Sequence, residues 1–391
     1  MKLGFYYHIP LSQQHGRLKL PSYLGVFIDA LAKEVAQLFL VMHECPPAQA
    51  HEADYTLTAT NIHWVNLGLK TPAWHRTLFF KKILQDKLHE VEHCDVMIVR
   101  SPSPLAPFFS RYIKKTKLCF MIVGDYSESV QNMKALSMRD RIIKQFLRFN
   151  NWLFEREIRK TSVLVNSPML YRKYQAVAKD VSQIRTTTLS KSDFFQREDT
   201  CQRPVINLLF TGRIDPNKGL FELLEASAQL FHQDNFNVRL HMVGWEQEAH
   251  KPVEAALLKR AQELNMKERL VFHGRKKVGD ELNAMYRMAD IYIIASYHEG
   301  FPRTIWEAMA NSVPVIATKV GAIPDYLTHN ENAFLIEPKQ IHEIKNAIVT
   351  LMTNHELRKK LIQQGFHIAQ ENTLEFQTQK LVNILEHVAT T

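Results

Sequence analysis

Short apolar runs separated by amphipathic stretches recur along this chain, and no other feature constrains its fold as strongly. In the first half the runs are KLGFYYH (2–8), LFLVMHE (38–44), DVMIVRS (95–101), LCFMIVGD (118–125) and SVLVNS (162–167). Helical patterns such as YLGVFIDALAKEVAQL and RDRIIKQFLRFNNWLFEREIRK lie between them. Strands that read as continuous apolar runs are buried on both faces, and helices in the crossovers supply the cover. The pattern therefore predicts mostly parallel sheets of the α/β class. LSKSDFFQREDTCQRP (189–204) loses the period and turns polar, as a linker does. A second series follows: VINLLFTG (205–212), NVRLHMVG (237–244), LVFHG (270–274), DIYIIAS (290–296) and PVIAT (314–318), with helices from 219 and over 252–264. Two Rossmann-like doubly wound domains are expected, at 1–196 and 204–370, with a C-terminal helix at 371–391 packing back on the first. Such sheets bind ligands at the carboxyl ends of their strands, so the expected site is a cleft across which the two domains face each other.

Composition adds limits. A length of 391 residues exceeds one ordinary domain, and 46% apolar content is usual for a protein with a buried core. The most apolar long stretch, YLGVFIDALAKEVAQLFLVM, is interrupted by Asp29, Lys33 and Glu34, which a bilayer span tolerates poorly. No signal-peptide cleavage pattern follows it, and a cytoplasmic protein is expected. Cys45, Cys94, Cys119 and Cys201 are scattered, without the spacing of a zinc site or redox pair. Charge is uneven: 29 Lys and Arg stand against 18 Asp and Glu up to Arg203, and 20 against 22 after it. Excess positive charge confined to one half suits a surface that meets anions, or equally a basic solubilising surface.

The chemistry-bearing motifs lie in the second half. FTGRIDPNKGLFELLEA places Gly212, Arg213 and Lys218 between a strand and a helix start, a setting suited to a diphosphate. A solvated basic turn is the plain alternative. It is not a Walker loop, and no G-x-G-x-x-G follows a strand. In HEGFPRTIWEAMANSVPVIAT, Glu299 follows a strand and Glu307 lies about one turn into a helix. A glycosidase needs its two carboxylates about 5–9 Å apart on opposite sides of one bond. Two residues of one strand–loop–helix unit share a wall instead, and are better placed to bind successive parts of one extended ligand.

These residues carry a resemblance. The Glu-x7-Glu spacing of EGFPRTIWE, with TGRIDPNKG before it and TKVGAIPDYL after it, resembles glycosyltransferase family 4, the glycosyl transferases group 1. The resemblance covers about 205–340 in its motifs and the first 200 residues only in the order of elements. It implies the GT-B fold and retaining, metal-independent transfer of a sugar from a nucleoside-diphosphate sugar, with no cofactor. The chain accordingly contains no Asp-x-Asp. Arg213, Lys218 and Glu299 are implied as catalytic: the two cations grip the diphosphate and Glu299 holds hydroxyls of the transferred sugar. Glu307 is implied to accept from the ribose hydroxyls. Gly212, Gly244, Arg275, Gly300, Phe301, Pro302 and Thr304 are implied to line the donor site. The implied acceptor is a glycan or a lipid-linked sugar, in cell-surface polysaccharide or lipopolysaccharide synthesis.

The first half departs from the family in lacking a Gly-Gly loop after its first strand. It offers Gly16, between His15 and Arg17, while Arg100 and Asp125 at strand ends are the other acceptor-side candidates. For each, a strand-end or turn role is the plain alternative. The basic, aromatic segments 74–87 and 139–160 suit peripheral contact with an anionic membrane on its cytoplasmic face, or are core helices with solvated charges. An epimerase of the same fold, or a non-catalytic binding module, is the competing function class. Nucleic acid is not an expected partner, since charge alone points to it.

Overall fold

The computed structural model describes residues 1–124, 138–246, 248 and 250–390, apart from the side chains of 139 and 140. Asp125 lies outside the described residues. The chain forms two compact units, Met1–Thr187 with Leu374–Thr391, and Thr188–Thr373.

The first unit is built on a sheet of β1 (Lys2–Tyr6), β2 (Gln37–Glu44), β3 (Ile62–Leu69), β4 (Val96–Ser101), β5 (Lys117–Ile122), β6 (Ser162–Val165) and β7 (Asp180–Gln183). Among the described residues these seven strands run in the order β7-β6-β5-β4-β1-β2-β3, every pair parallel. The order reverses between β1 and β4. The apolar runs became the inner strands; β3 and β7 were not foreseen, for a physical reason. They are edge strands, covered on fewer sides, so IHWVNLGL and DVSQ keep polar residues and never read as continuous apolar runs. A small antiparallel sheet (Ser12–Gln14, Arg17–Leu20, Tyr55–Thr56) accompanies them.

Helix α1 (Ser22–Lys33) buries Leu24, Phe27, Ile28 and Leu31, the i, i+3, i+4, i+7 stripe, against this sheet. The C-terminal helix Leu374–Thr390 adds Leu381 and Leu385 to the same core. Helix α2 (Met138–Ile158) buries Phe154 and Ile158, and its Asn150 side chain donates to the Pro104 carbonyl at 3.1 Å. It also leaves Ile142, Phe149 and Trp152 more than half exposed.

The second unit is built on β8 (Ile206–Arg213), β9 (Val238–Trp245), β10 (Leu270–Phe272), β11 (Ile291–Ile294), β12 (Val315–Thr318) and β13 (Phe334–Ile336). Their order is β10-β9-β8-β11-β12-β13, again all parallel, reversing between β8 and β11. Helix α3 (Leu220–His232) follows β8, α4 (Asp280–Met288) precedes β11, and α5 (Thr304–Ala310) precedes β12.

The stretch read as a linker is not one. Phe195 N–H donates to Ala310 O at 2.9 Å. The Arg197 guanidinium donates to the carbonyls of Arg287, Ala289 and Ser312, and Arg203 donates to Met288 O. Polar residues without a period here satisfy carbonyls left over where α4 ends, a use of arginine that hydropathy does not reveal. Further along, the Arg358 fork grips Asp199 at 2.6 and 2.8 Å while a third arginine nitrogen donates to Leu351 O. Both side chains are almost wholly buried.

Breaking that pair strands a buried guanidinium. Asp199→Ala is expected to lower unfolding free energy by about 3–5 kcal/mol in urea titrations at neutral pH. Burial, the largest single influence, opposes ionisation of Asp199, but the hydrogen bonds from Arg358 and the Thr200 backbone and the positive charges of Arg358 and His355 together outweigh it, so its pKa is lowered. The pair's contribution is therefore complete above the ordinary aspartate range and is lost as pH falls through the lowered value. The gap between wild type and variant should narrow in acid.

Candidate functional site

β8 ends in Gly212 and Arg213, and the chain then turns on Asp215, whose carboxylate accepts from Asn217 N–H at 2.9 Å. Gly219 closes this turn at φ 66°, where a Cβ would lie 2.1 Å from Ala295 O at the end of β11. No side chain fits there, so the turn sits directly on the neighbouring strand's exit. A second close approach mirrors it. Gly321, φ 56°, brings the loop after β12 so near that a Cβ would lie 1.8 Å from Glu299 O, and Ala322 N–H donates to Gly300 O. Tyr297 N–H donates to Asn217 O at 2.8 Å. Three loops are thus fastened together at the carboxyl ends of β8, β11 and β12.

That fastening sets the central contact. Lys218 Nζ donates to Glu299 Oε1 at 2.5 Å, and Ser296 Oγ donates to the same oxygen at 2.7 Å. Ser296 is itself held, its carbonyl accepting from Thr318 Oγ1 at 2.7 Å. Lysine and glutamate side chains are 17% and 11% exposed, so the pair is sheltered yet reachable. Glu299 Oε2 accepts from none of the described residues and keeps both lone pairs for a ligand. Arg213, in register with Trp245, is exposed and has no side-chain partner among the described residues. Arg275 lies over the Trp245 ring at 4.8 Å. Gly244 presses on Gly212, where a Cβ would lie 1.7 Å from its carbonyl oxygen, and Gly244 N–H donates to Gly274 O.

Glu307 is in a different setting. It sits in the first turn of α5, 8% exposed, and accepts from Thr188 Oγ1 at 2.6 Å and Tyr286 OH at 2.8 Å. The hydroxyls continue: Tyr286 meets Thr211 at 2.8 Å, Thr211 meets Tyr292 at 3.3 Å, and Tyr292 donates to Thr304 at 2.6 Å. Burial, then the nearby Glu307 charge, pushes the Tyr286 phenol well up, and burial does the same to Tyr292, so both remain donors. Phe301 stacks on Trp306 and meets Tyr326 edge-on, packing the loop that carries Gly300 and Pro302.

The structure thus draws Lys218 and Glu299 together and places Arg213 on the same strand-end row. It seats Glu307 in a hydroxyl network that hydropathy did not mark. Tyr292 lies in the apolar run 290–296, and Tyr286 and Thr188 fall outside every motif read in the sequence. In the first unit, Gly16 tips the small hairpin at φ 74° and lines a cavity of about 720 Å³ with Phe39, His63 and Glu90. Arg100 lies over the Tyr7 ring at 4.2 Å and is not part of that cavity's wall.

Comparison with known proteins gives a consistent picture. A family model described as Glycosyl transferases group 1 matches residues 197–367. D-inositol 3-phosphate glycosyltransferase of Corynebacterium glutamicum is 32% identical over 153 residues, 39% of this chain and 36% of that one. The capsular polysaccharide biosynthesis glycosyltransferase CapM of Staphylococcus aureus is 28% identical over 156 residues, 40% of this chain and 39% of that one. The match thus spans well under half the length of these relatives. HepE of Anabaena, solved in complex with UDP, superposes with a TM-score of 0.71 at 17% identity, covering 99% of this chain and all of that one. WaaG, described as a glycosyltransferase involved in lipopolysaccharide biosynthesis, gives 0.65 at 15% identity, covering 98% and 99%. The fold of this chain is GT-B, with two Rossmann-like parallel-sheet domains.

The hydroxyl network yields a direct expectation. Tyr286→Phe or Thr188→Val removes one donor from a buried carboxylate, so each should cost about 1–3 kcal/mol in chemical denaturation. Because the network is shared, the double variant should lose less than the sum of the two singles.

Proposed function

We propose, from the match of residues 197–367 to the glycosyl transferases group 1 family, that this chain moves a sugar from a nucleoside-diphosphate sugar to a glycan or lipid-linked acceptor. The observation that carries the reading is the sheltered Lys218–Glu299 pair beside exposed Arg213, at the point where the strand order reverses. Open parallel sheets bind ligands at that point. Arg213 and Lys218 neutralise the charge that builds on the diphosphate as the sugar leaves, without a metal. Glu299 keeps Lys218 aimed and offers its free oxygen to hydroxyls of the sugar. Glu307 uses its remaining lone pairs for the ribose, and Gly212, Gly244, Arg275, Gly300, Phe301, Pro302 and Thr304 shape the donor's surroundings. Transfer proceeds with retention, the acceptor hydroxyl entering on the face that the diphosphate leaves. HepE was solved with UDP and with UDP-glucose, which favours a uridine donor here. CapM and WaaG, by their descriptions, favour a place in cell-surface polysaccharide or lipopolysaccharide synthesis.

Assays with a panel of nucleotide sugars test this reading. Arg213→Ala or Lys218→Ala should cut turnover about 10²–10³-fold at saturating donor, the usual cost of losing one group aimed at developing charge. Glu307→Gln should weaken nucleoside-diphosphate binding by about 1.5–3 kcal/mol, while Glu299→Gln should leave that binding nearly unchanged and impair transfer. Equal losses in the two glutamate variants would contradict the division of roles. Interconversion of the donor without any acceptor would make the protein an epimerase.

We further propose that the first unit docks on anionic lipid at the cytoplasmic face of a membrane. Among the described residues no helix is long and apolar enough to cross one. In α2, however, Ile142, Phe149 and Trp152 are exposed alongside Arg141 and Arg148, and Trp74, Leu78 and Phe79 are exposed near Lys81 and Lys82. Core packing does not account for these faces, and interfacial seating does. Arg141→Glu, Lys144→Glu and Arg148→Glu together should abolish co-sedimentation with anionic vesicles, as about 1 kcal/mol per basic residue is lost and then reversed. Equal binding of wild type to neutral vesicles, or binding to neither kind, would rule the docking out.

A further inference from the structure

Arg76 is 5% exposed, in the short helix Ala73–Leu78 after β3, and two of its guanidinium nitrogens, Nε and Nη1, are buried without a partner among the described residues. Other buried polar atoms share that condition, among them His8 Nδ1 after β1, His43 Nε2 in β2, and Ser101 Oγ at the end of β4. His43 is 1% exposed and spends its other nitrogen on Gly68 O at 3.2 Å. Lys70 follows β3 directly, its N–H donating to Glu44 O at the end of β2. These residues come from the carboxyl ends of β1, β2, β3 and β4, which are adjacent in the sheet and include the point where its order reverses.

Burial, then the positive field of Arg76 and Lys70, pulls His8 down to about 4. Burial and Arg76 bring His43 to about 4 as well. Among the described residues no carboxylate contributes to either shift, and Glu52 is the one carboxylate that acts on Lys70. A buried guanidinium with no counter-charge among the described residues is costly, and a bound anion is one arrangement that offsets the cost.

We propose that the carboxyl edge of the first unit's sheet is an oxyanion site in which Arg76, Lys70, His8 and Ser101 donate to a phosphate group, while His43, whose one proton goes to Gly68 O, leaves Nε2 to accept from a phosphate hydroxyl. Four donor groups from adjacent strand ends exceed what the two oxygens of a carboxylate engage well, and match the three or four oxygens of a phosphate. Assigning that phosphate to the sugar acceptor rests on the transferase reading above; the anion site itself does not. The acceptor is then a phosphorylated sugar or a sugar on a lipid phosphate, held by its phosphate.

The test is calorimetric titration of the full chain with inorganic phosphate, and separately with acetate at matched ionic strength. Phosphate should bind saturably, and Arg76→Gln and Lys70→Gln should each weaken it about 10–100-fold, as loss of a charge-assisted hydrogen bond does. Arg213→Ala should leave this binding unchanged. Without ligand, Arg76→Gln should melt no lower than wild type, whereas a purely structural arginine would melt lower when replaced. Should Arg76→Gln not fold, the arginine is structural and the proposal falls. Absent saturable binding, unaltered binding in both variants, or acetate binding as tightly as phosphate also overturns it. Nucleoside-diphosphate titrations separate the two readings. Binding that depends on Arg213, without a phosphate site at Arg76, would sink this proposal alone, and the reverse would sink the donor-site reading alone.

Discussion

The Lys218–Glu299 contact exists because three loops approach one another more closely than any side chain permits. Gly219 lies against the exit of β11, and Gly321 lies against the peptide that carries Glu299. Both have positive φ, so backbone conformation and steric room make the same demand at each position. The ion pair is a consequence of that packing: with the loops fastened, the ammonium and carboxylate have little freedom left to lose on meeting. Preorganisation of this kind is what a site needs if it is to meet developing charge without rearranging.

The same topology explains why polar chemistry gathers where it does in each unit. A parallel sheet sends every crossover to the opposite end before the next strand begins. All loops leaving carboxyl ends therefore crowd one edge, and a reversal of strand order parts two of them. In the second unit that edge holds Arg213, Lys218 and Glu299. In the first it holds His8, His43, Lys70 and Arg76. The two clusters differ in their electrostatics. One is a cation already paired with a carboxylate and sheltered by a hydroxyl. The other is a set of cations and imidazoles with, among the described residues, no carboxylate acting on either histidine.

Legibility in the sequence followed burial. Inner strands, buried on both faces, read as apolar runs and were placed within a few residues. Edge strands β3 and β7 did not, because their alternation is diluted by contact with solvent. The segment 189–204 read as a linker because its role is carried by Arg197, Asp199 and Arg203, whose hydrogen bonds leave no hydropathic trace. Lys218 and Glu299 were legible as a spacing within a motif, whereas the partners of Glu307 come from Thr188 and Tyr286, far apart in sequence. Arg76 was invisible for a related reason. It lies in a segment that reads as a basic surface helix, and only three-dimensional packing turns that one side chain inward.

The C-terminal helix Leu374–Thr390 belongs to the first unit's core, together with α1 and β1. The second unit is contiguous in sequence and the first is not. On a ribosome, residues 1–187 therefore emerge with a groove of apolar side chains that the chain cannot fill until the whole second unit has been made. At about 5–20 residues per second that wait is on the order of ten to forty seconds. In that interval the second unit can complete its own sheet, while the first stays a collapsed half awaiting Leu381 and Leu385. Residues 1–187, made before the second unit, are thus completed after it.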